Sequence, residues 1–327
     1  MPITKTLLQP FDVSPFPYDG GLPDKDYPFL DVIEGDRRGH LTQRGGVYWE
    51  DSTYADRRVL LSLPRGFDAR RPALIIVYFH GNLSTLERDV RDRQQIPRQI
   101  EASRLNAVLV APQFAVDAAD SSAGRFWEPG IFAKFLREAA DRLALLHGDR
   151  RTRALFRRAP VVLVAYSGGY HPAAFALTVG GAGRRVKGVI LLDALYGETE
   201  RFADWIIRQR RGFFVSASAG ITRDGHEALR SLLVKRRIAV RKRLPRSLSP
   251  GGVTLLDTDE DVDHFDFVTQ AWVDDPLRAL LAKIPGYRRA APVKSRRAPR
   301  RPAKGRPAKG KPVKDKRSAK RPPGRGR

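Results

Sequence analysis

The chain has 327 residues, 42% of them hydrophobic, which is enough for a sizeable core. It contains no cysteine, which excludes disulfide bonds and thiolate metal sites. The net charge is +24, and residues 288–327 carry +17 of it through 18 lysines and arginines against one aspartate. No run approaches the roughly 18 apolar residues of a membrane-spanning helix. The N-terminus lacks the pattern of a secretory signal, so a cytoplasmic location is expected.

The first 55 residues are rich in proline, glycine, aspartate and aromatic residues, as in "FDVSPFPYDGGLPDKDYPFLD". Proline and glycine at this density interrupt regular structure. We therefore predict that residues 1–55 form an irregular wrap over the following domain, with one short strand at Val47–Trp49.

Residues 56–287 alternate between apolar runs typical of strands and stretches with helical periodicity. Strands are predicted at 58–64, 73–81, 106–114, 160–167, 187–195, 212–219 and 252–259. Helices are predicted at 131–148, 226–237 and 265–284, the last broken or kinked at Pro276. The alternation predicts an α/β fold with a mostly parallel central sheet and helices on both faces. Ligands of such sheets bind beyond the carboxyl ends of the strands, so the polar residues there matter most.

The strand "VVLVAYS" ends at Ser167, which is followed by Gly168 and Gly169 and preceded at two residues by Ala165. A serine can act as a nucleophile when a sharp strand-to-helix turn exposes its hydroxyl, and such a turn needs small neighbours. Taken alone, the pattern favours a plain turn, because small-x-Ser-x-Gly arises by chance in many proteins.

Three other strand ends carry polar residues. His80, Gly81 and Asn82 follow one strand, Asp193 ends another, and His264 lies in the loop after the last strand. A carboxylate after an apolar strand is costly without a partner, and histidine is the commonest general base. Each residue also has a simpler explanation: a turn histidine, a helix cap or ion pair, and a surface histidine in an acidic loop.

The order of these residues along the chain is informative. His-Gly comes first, then serine, aspartate and histidine, each at the end of a predicted strand. With the A-x-S-x-G pattern at 165–169, residues 56–285 resemble the α/β-hydrolase superfamily. The resemblance implies the α/β-hydrolase fold and a serine hydrolase that cleaves an acyl ester, amide or thioester of a small-molecule substrate. Carboxylester hydrolysis is the expected reaction.

The resemblance also implies a role for each residue. Ser167 would attack the carbonyl, His264 would take and return the proton, and Asp193 would orient His264. The backbone N–H groups of Asn82 and Gly168 would hold the oxyanion. His80 would have a structural role.

Two features depart from the superfamily pattern. Ala165 stands where the first glycine is usual, and the strand at 212–219, which usually precedes the acid, carries no carboxylate. Asp224 and the acidic cluster at 257–263 are therefore alternatives to Asp193. The alternative function is a catalytically inactive scaffold that acts as a binding protein, tethered to nucleic acid by its tail.

Other polar residues near the predicted strand ends receive simpler interpretations. Tyr170 and His171 are expected to pack at the start of a helix. Ser121 and Ser122 are expected to lie in a plain connecting loop. No metal-binding or nucleotide-binding motif is present, so neither a metal nor another cofactor is expected.

Residues 288–327 repeat "RPAKG" at 301–305 and 306–310 and contain almost no aliphatic or aromatic side chains. Such a segment cannot bury enough surface to fold, so a disordered tail is predicted. Its Lys-Pro-Ala composition resembles linker-histone tails. Counterion release predicts weak, sequence-independent binding to nucleic acid, with anionic membrane as a competitor. The alternative is a solvated tail without a specific partner.

Overall fold

The computed structural model describes residues 4–289 except residues 24 and 260. The predictions made for residues 290–327 lie outside the described residues. Arg288 still belongs to the body, because it forms an isolated β-bridge with Leu105. Residues 1–289 make up one compact unit.

Two sheets are present within the described residues. Their strands are β1 (Lys5–Pro10), β2 (Val32–Glu34), β3 (Arg37–Leu41), β4 (Val47–Trp49), β5 (Arg58–Leu63), β6 (Leu74–Phe79), β7 (Ala107–Pro112), β8 (Val161–Tyr166), β9 (Val186–Leu192), β10 (Phe213–Ser218), β11 (Val240–Arg241) and β12 (Val253–Asp257). The large sheet has the order β1-β5-β7-β6-β8-β9-β10-β12-β11, and β2, β3 and β4 form a small antiparallel sheet. In the large sheet, β6 to β12 run parallel, while β1 and β5 pair antiparallel.

The central strands are buried on both faces, which explains their uninterrupted apolar runs. In β6, Ile75 and Val77 belong to the core on one side of the sheet, and Leu74 and Ile76 belong to the core on the other side. This alternation follows from the two-residue period of an extended chain.

Helices cover both faces of the large sheet. They are α1 (Ile96–Ala102), α2 (Ile131–His147), α3 (Arg153–Arg158), α4 (Tyr170–Thr178), α5 (Thr199–Arg208), α6 (Thr222–Lys235) and α7 (Pro276–Leu281). Side chains of α2 to α6 pack into one core, and those of α1 and α7 pack into the other. Short 3₁₀ turns lie at Gly124–Trp127, Arg150–Thr152, Ser167–Gly169, Gly183–Arg185 and His264–Val268, and π-helical turns lie at Glu50–Tyr54 and Leu86–Arg93.

The predicted fold class is confirmed: the sheet is mostly parallel, with helices on both faces. All seven predicted strands are present, and α2 matches its prediction, while α6 begins four residues before the predicted start. The stretch predicted as a helix at 265–284 does break at Pro276, as expected, but the part before the proline is not an α-helix. A 3₁₀ turn and an irregular stretch occupy its first half, and α7 begins at Pro276, because proline fits the first turn of a helix and not its interior.

The N-terminal segment holds more regular structure than the predicted irregular wrap. The strand at Val47–Trp49 is present as β4, but β1 also joins the large sheet along β5. An aromatic cluster anchors the rest: the ring of Phe16 lies 5.1 Å from that of Tyr54, which lies 5.0 Å from that of Phe29. The sequence pattern missed β1 because its residues are exposed or half-buried, as at many sheet edges.

Among the helices of the described residues, none is both long and apolar enough to span a membrane.

Candidate active site

The predicted site residues follow the carboxyl ends of parallel strands, which meet at one edge of the sheet. His80 follows β6, Ser167 follows β8 and Asp193 follows β9, while His264 comes seven residues after the end of β12. We call this side of the sheet, where the parallel strands end, the site edge.

Ser167 sits on a strained turn between β8 and α4. Its φ is +52°, in the left-handed region that residues other than glycine seldom adopt. The turn brings the serine against the loop after β6: a Cβ atom added at Gly81 would lie 2.6 Å from Ser167 Cβ and 3.2 Å from Ser167 Oγ. Only glycine at position 81 therefore leaves room for this serine.

His264 forms a short hydrogen bond with Asp193. Its Nδ1 lies 2.5 Å from Asp193 Oδ2, and the Asp193 carboxylate is buried whereas the imidazole is 41% exposed. Asp193 is the acid that reaches His264 among the alternatives raised by the sequence. Asp257 instead pairs with His226, and Asp263 caps the 3₁₀ turn that begins at His264.

The second oxygen of Asp193 is held by the segment that follows β10. The hydroxyl of Thr222 and, at 3.3 Å, the backbone N–H of Ala219 both donate to Asp193 Oδ1. The segment after β10 therefore supplies two hydrogen-bond donors to the carboxylate of Asp193, which follows the neighbouring strand β9. Asp193 has a φ of +44°, a conformation that aspartate tolerates better than most residues.

Two tyrosine rings position the His264 imidazole. The ring of Tyr166 stacks on it with centroids 4.8 Å apart, and the ring of Tyr196 meets it edge-on at 6.3 Å. Burial and the charge of Asp193 raise the pKa of Tyr196 to about 12, which keeps its hydroxyl protonated. Since Tyr166 immediately precedes Ser167, this stacking places the imidazole against the turn that carries the serine.

Neither Ser167 Oγ nor His264 Nε2 forms a hydrogen bond among the described residues, so the structure joins His264 to Asp193 and not to Ser167. Hydrogen bonds between a nucleophile and its base are often long before substrate binds and tighten only in the complex.

His80 is locked in a structural role. Its Nε2 accepts a hydrogen bond from the backbone N–H of Phe114 at 2.9 Å, so Nδ1 carries the proton and donates to the carbonyl of Gly81 at 2.7 Å. Burial lowers the pKa of His80, which keeps the ring neutral. The histidine thus fixes the loop that leads to Asn82.

Asn82 lies directly over Gly168. Its side-chain oxygen would be 2.1 Å from a Cβ atom at Gly168, and it accepts a hydrogen bond from the Ser121 hydroxyl at 3.1 Å. Within the described residues, neither the N–H of Asn82 nor that of Gly168 donates a hydrogen bond outside its own turn.

A cavity of about 620 Å³ begins next to this point. Its walls come from the N-terminal segment, from the loop that carries Ser121 and Trp127, and from Tyr170 and His171 at the start of α4. Ser121 links the cavity to Asn82, and Tyr170 lies three residues after Ser167. The volume is typical of a pocket for a small organic ligand.

These contacts correct one expectation from the sequence and extend another: Tyr170 and His171 pack at the start of α4, as expected, and also face the cavity. The loop with Ser121 and Ser122 is more than a connector, since both residues line the cavity. Tyr170 and His171 also line it, and His171 accepts a hydrogen bond from the indole N–H of Trp127 at 3.0 Å.

Another set of a serine, a histidine and an aspartate, separate from Ser167, His264 and Asp193, joins β10, α6 and β12. His226 Nδ1 is 2.7 Å from Asp257 Oδ1, and its Nε2 is 2.8 Å from Ser216 Oγ. Ser216 lies inside β10 and is fully buried, so no substrate can reach it. We interpret this arrangement as a structural network that ties β10, α6 and β12 together, and its bond geometry alone would not distinguish it from a catalytic triad.

Sequence reasoning did not identify several residues that shape the site, namely Thr222, His226, Tyr166 and Tyr196. A threonine, a tyrosine or a histidine carries no local signal when its role depends on residues far away in the chain. Tyr166 would have been the easiest of them to predict, because its position directly before Ser167 fixes it at the site edge.

No family model matches the chain, and no curated protein matches it. Its structure is similar to that of a feruloyl esterase module from Clostridium thermocellum, complexed with sinapinate, at 13% identity over 82% of this chain and 97% of the other, with a TM-score of 0.41. An S-formylglutathione hydrolase from Agrobacterium tumefaciens is similar at 13% identity over 77% and 97%, with a TM-score of 0.41. Esterase 2 from Thermogutta terrifontis, phosphonylated by sarin, is similar at 10% identity over 69% and 86%, with a TM-score of 0.40. Likenesses at this level carry no assignment of activity or substrate.

Proposed function

We propose that the protein is a serine hydrolase of the α/β-hydrolase superfamily that cleaves carboxylic esters. The observation that carries the proposal is the hydrogen bond between His264 and the buried carboxylate of Asp193, at the same edge of the sheet as Ser167 with its strained turn. A pair of this kind sets the tautomer of the imidazole and stabilises its positive charge during attack by the serine.

In the proposed reaction, Ser167 Oγ attacks the ester carbonyl while His264 Nε2 takes the serine proton. The carbonyl oxygen becomes an oxyanion that accepts hydrogen bonds from the N–H groups of Asn82 and Gly168. Collapse of the tetrahedral intermediate breaks the bond to the alcohol, which leaves with the proton from His264. Water then attacks the acyl-serine, again with His264 as the base, and releases the acid together with free Ser167.

The cavity beside Asn82 supports a substrate with one bulky group. Aromatic side chains, including those of Trp127, Tyr170 and Phe175, form part of its wall and offer apolar contact area. We propose that one side of the ester lies in this cavity while the scissile carbonyl lies at Ser167.

The body of the enzyme in this proposal comprises residues 56–287 together with β1 and the N-terminal residues that line the cavity. No observation in the structure favours the alternative of an inactive scaffold. Nucleic-acid binding by residues 288–327 and a cytoplasmic location stay predictions from the sequence.

A fluorophosphonate probe tests the proposal, because it forms a covalent bond with an activated serine. We expect labelling of the intact protein at Ser167, identified by peptide mass spectrometry, and loss of labelling in Ser167→Ala. Ser216→Ala is the matched control and should label like the wild type, since Ser216 is buried. Absence of labelling in a folded wild-type protein, together with absence of hydrolysis across a panel of p-nitrophenyl esters, would contradict the proposal.

A further inference from the structure

The edge of the large sheet opposite the site edge carries a row of arginines. Because β6 to β12 are parallel, their starting residues all lie at this opposite edge. Exposed arginines precede six of these strands by two to four residues: Arg70 and Arg71 before β6, Arg104 before β7, Arg157 and Arg158 before β8, Arg184 before β9, Arg210 and Arg211 before β10, and Arg236 and Arg237 before β11. We call this set the arginine edge.

The register of the sheet aligns the first residues of these strands, so the arginines that precede them lie along one side of the sheet and together form a row. Leu74 of β6 pairs with Ala107 of β7, and Arg71 and Arg104 each lie three residues before them. At the far end, Val240 and Phe214 both pair with Val253, and Arg237 and Arg211 lie three residues before the first two. Seven adjacent strands at about 4.8 Å spacing give the row a length of about 29 Å.

Most of this charge is not neutralised by the protein itself. Within residues 4–289, eight arginines of the edge form no ion pair, and the other two, Arg70 and Arg157, pair with Asp68 and Asp141. The remaining acidic side chains near the edge are also accompanied by arginines: Glu101 by Arg65, Asp204 by Arg208, and Asp149 by the adjacent Arg150 and Arg151.

The last described residue also lies at this edge. Arg289 donates its backbone N–H to the carbonyl of Arg104 at 2.9 Å. In the sequence, residues 290–327 follow it with 16 lysines and arginines and one aspartate.

We propose that the arginine edge is a binding surface for the phosphate backbone of a nucleic acid, on the side of the sheet away from the active site. Guanidinium groups bind phosphate oxygens through paired N–H groups. Duplex DNA presents one phosphate charge per about 1.7 Å of axis, so a row of about 29 Å faces a little less than one helical turn. Binding through phosphates alone is independent of base sequence.

A lipid membrane is the other polyanion with phosphate groups, and the surface fits it less well. Proteins that bind the membrane interface place large apolar or aromatic side chains beside their cations. Of the exposed large side chains of the described residues, the aromatic Tyr27 and Tyr196 lie at the cavity and beside His264, while the aliphatic Val234 lies two residues before Arg236. The described part of the arginine edge therefore has an exposed aliphatic side chain near its cations but no exposed aromatic one.

The test compares two triple variants of the full-length chain that lose the same charge. One carries Arg211→Gln, Arg236→Gln and Arg237→Gln at the arginine edge. The control carries Arg57→Gln, Lys134→Gln and Arg137→Gln, which are exposed and without ion pairs among the described residues. Arg57 precedes antiparallel β5 and thus lies at the site edge, and the other two lie on α2.

Binding to a fluorescein-labelled DNA duplex of mixed sequence and about 20 base pairs is measured by anisotropy between about 50 and 200 mM salt. We expect the slope of log K against log salt to become shallower by roughly 0.9 for each phosphate that the edge variant no longer binds. The largest change, for all three substitutions, is about 2.7. The slope of the control variant should equal that of the wild type. Residues 290–327 contribute equally to both proteins, so the difference reports the edge alone. Unchanged circular dichroism spectra and urea unfolding midpoints confirm that both variants are folded.

Equal slopes and affinities for the two variants would overturn the proposal. Vesicles of phosphatidylcholine and phosphatidylserine give the second arm. If the edge variant loses vesicle binding but binds the duplex like the control, the surface serves a membrane and the proposal is wrong. Neither result bears on the ester hydrolase proposal, which rests on the opposite edge.

Discussion

Asp193 forms a hydrogen bond with His264 and Asp257 forms one with His226, and these two aspartate–histidine pairs have different surroundings. Asp193→Asn should reduce the rate of ester hydrolysis roughly 10³- to 10⁴-fold, because the amide cannot set the tautomer or stabilise the charge of His264. Asp257→Asn is the matched control and should keep kcat near that of the wild type. Steady-state kinetics on one p-nitrophenyl ester measures both. A larger loss in Asp257→Asn would identify the wrong acid in the proposal.

The positive φ of Ser167 predicts a conflict between activity and stability. Ser167→Ala and Ser167→Gly should both be inactive, but glycine relieves the left-handed strain and alanine does not. We expect the free energy of unfolding of the glycine variant to exceed that of the alanine variant by about 1 kcal/mol. Urea denaturation at neutral pH provides the measurement. Equal stabilities would show that the turn is not strained.

Thr222 is a positioning residue in the proposed site, because it donates to Asp193 and does not contact the serine. Thr222→Val should lower kcat severalfold while KM changes little, in line with the loss of one hydrogen bond to a charged group, about 1.5–3 kcal/mol at most. Thr222→Ser keeps the hydroxyl and should restore kcat. A serine variant as slow as the valine variant would mean that the threonine matters for packing alone.

The buried histidine of the second pair should make stability depend on pH. Burial lowers the pKa of His226 below its ordinary value of 6.5, although Asp257 opposes this effect. The unfolded chain therefore binds a proton at a higher pH than the folded protein does. Its contribution to stability is complete above pH 6.5 and is lost as the pH falls from there towards the folded pKa.

His226→Gln isolates this contribution, since His80 is also buried with a lowered pKa and remains in place. Removing His226 should decrease the slope of unfolding free energy against pH, between about pH 6.5 and 5, by at most about 1.4 kcal/mol per pH unit. Urea unfolding across this range, in both proteins, provides the comparison. Parallel curves would indicate that His226 is protonated in the folded state.

The strand ends were predictable because the carboxyl ends of parallel strands share one edge, whatever lies between them in the sequence. That rule placed Ser167, Asp193 and His264 at the same edge of the sheet without any knowledge of side-chain contacts. It could not choose between Asp193 and the acids after β12, because the choice depends on which carboxylate the His264 ring faces. Nor could it reveal Thr222, whose hydroxyl becomes important only when α6 starts earlier than its apolar pattern suggests.

The N-terminal segment was the least predictable part. Its strands are short and partly exposed, so they lack the apolar alternation that marks a strand. Its position depends on aromatic contacts such as that between Phe16 and Tyr54, which join residues far apart in the sequence.

The pairing of β1 with β5 protects the protein against self-association. Without Lys5–Pro10, the outer side of β5 would present free backbone N–H and C=O groups to any extended chain nearby. Proteolytic removal of the first dozen residues would take away none of the residues proposed for catalysis, yet it would expose the outer side of β5, along which two molecules could pair strand to strand. Loss of solubility, rather than loss of turnover, should be the first sign of such damage.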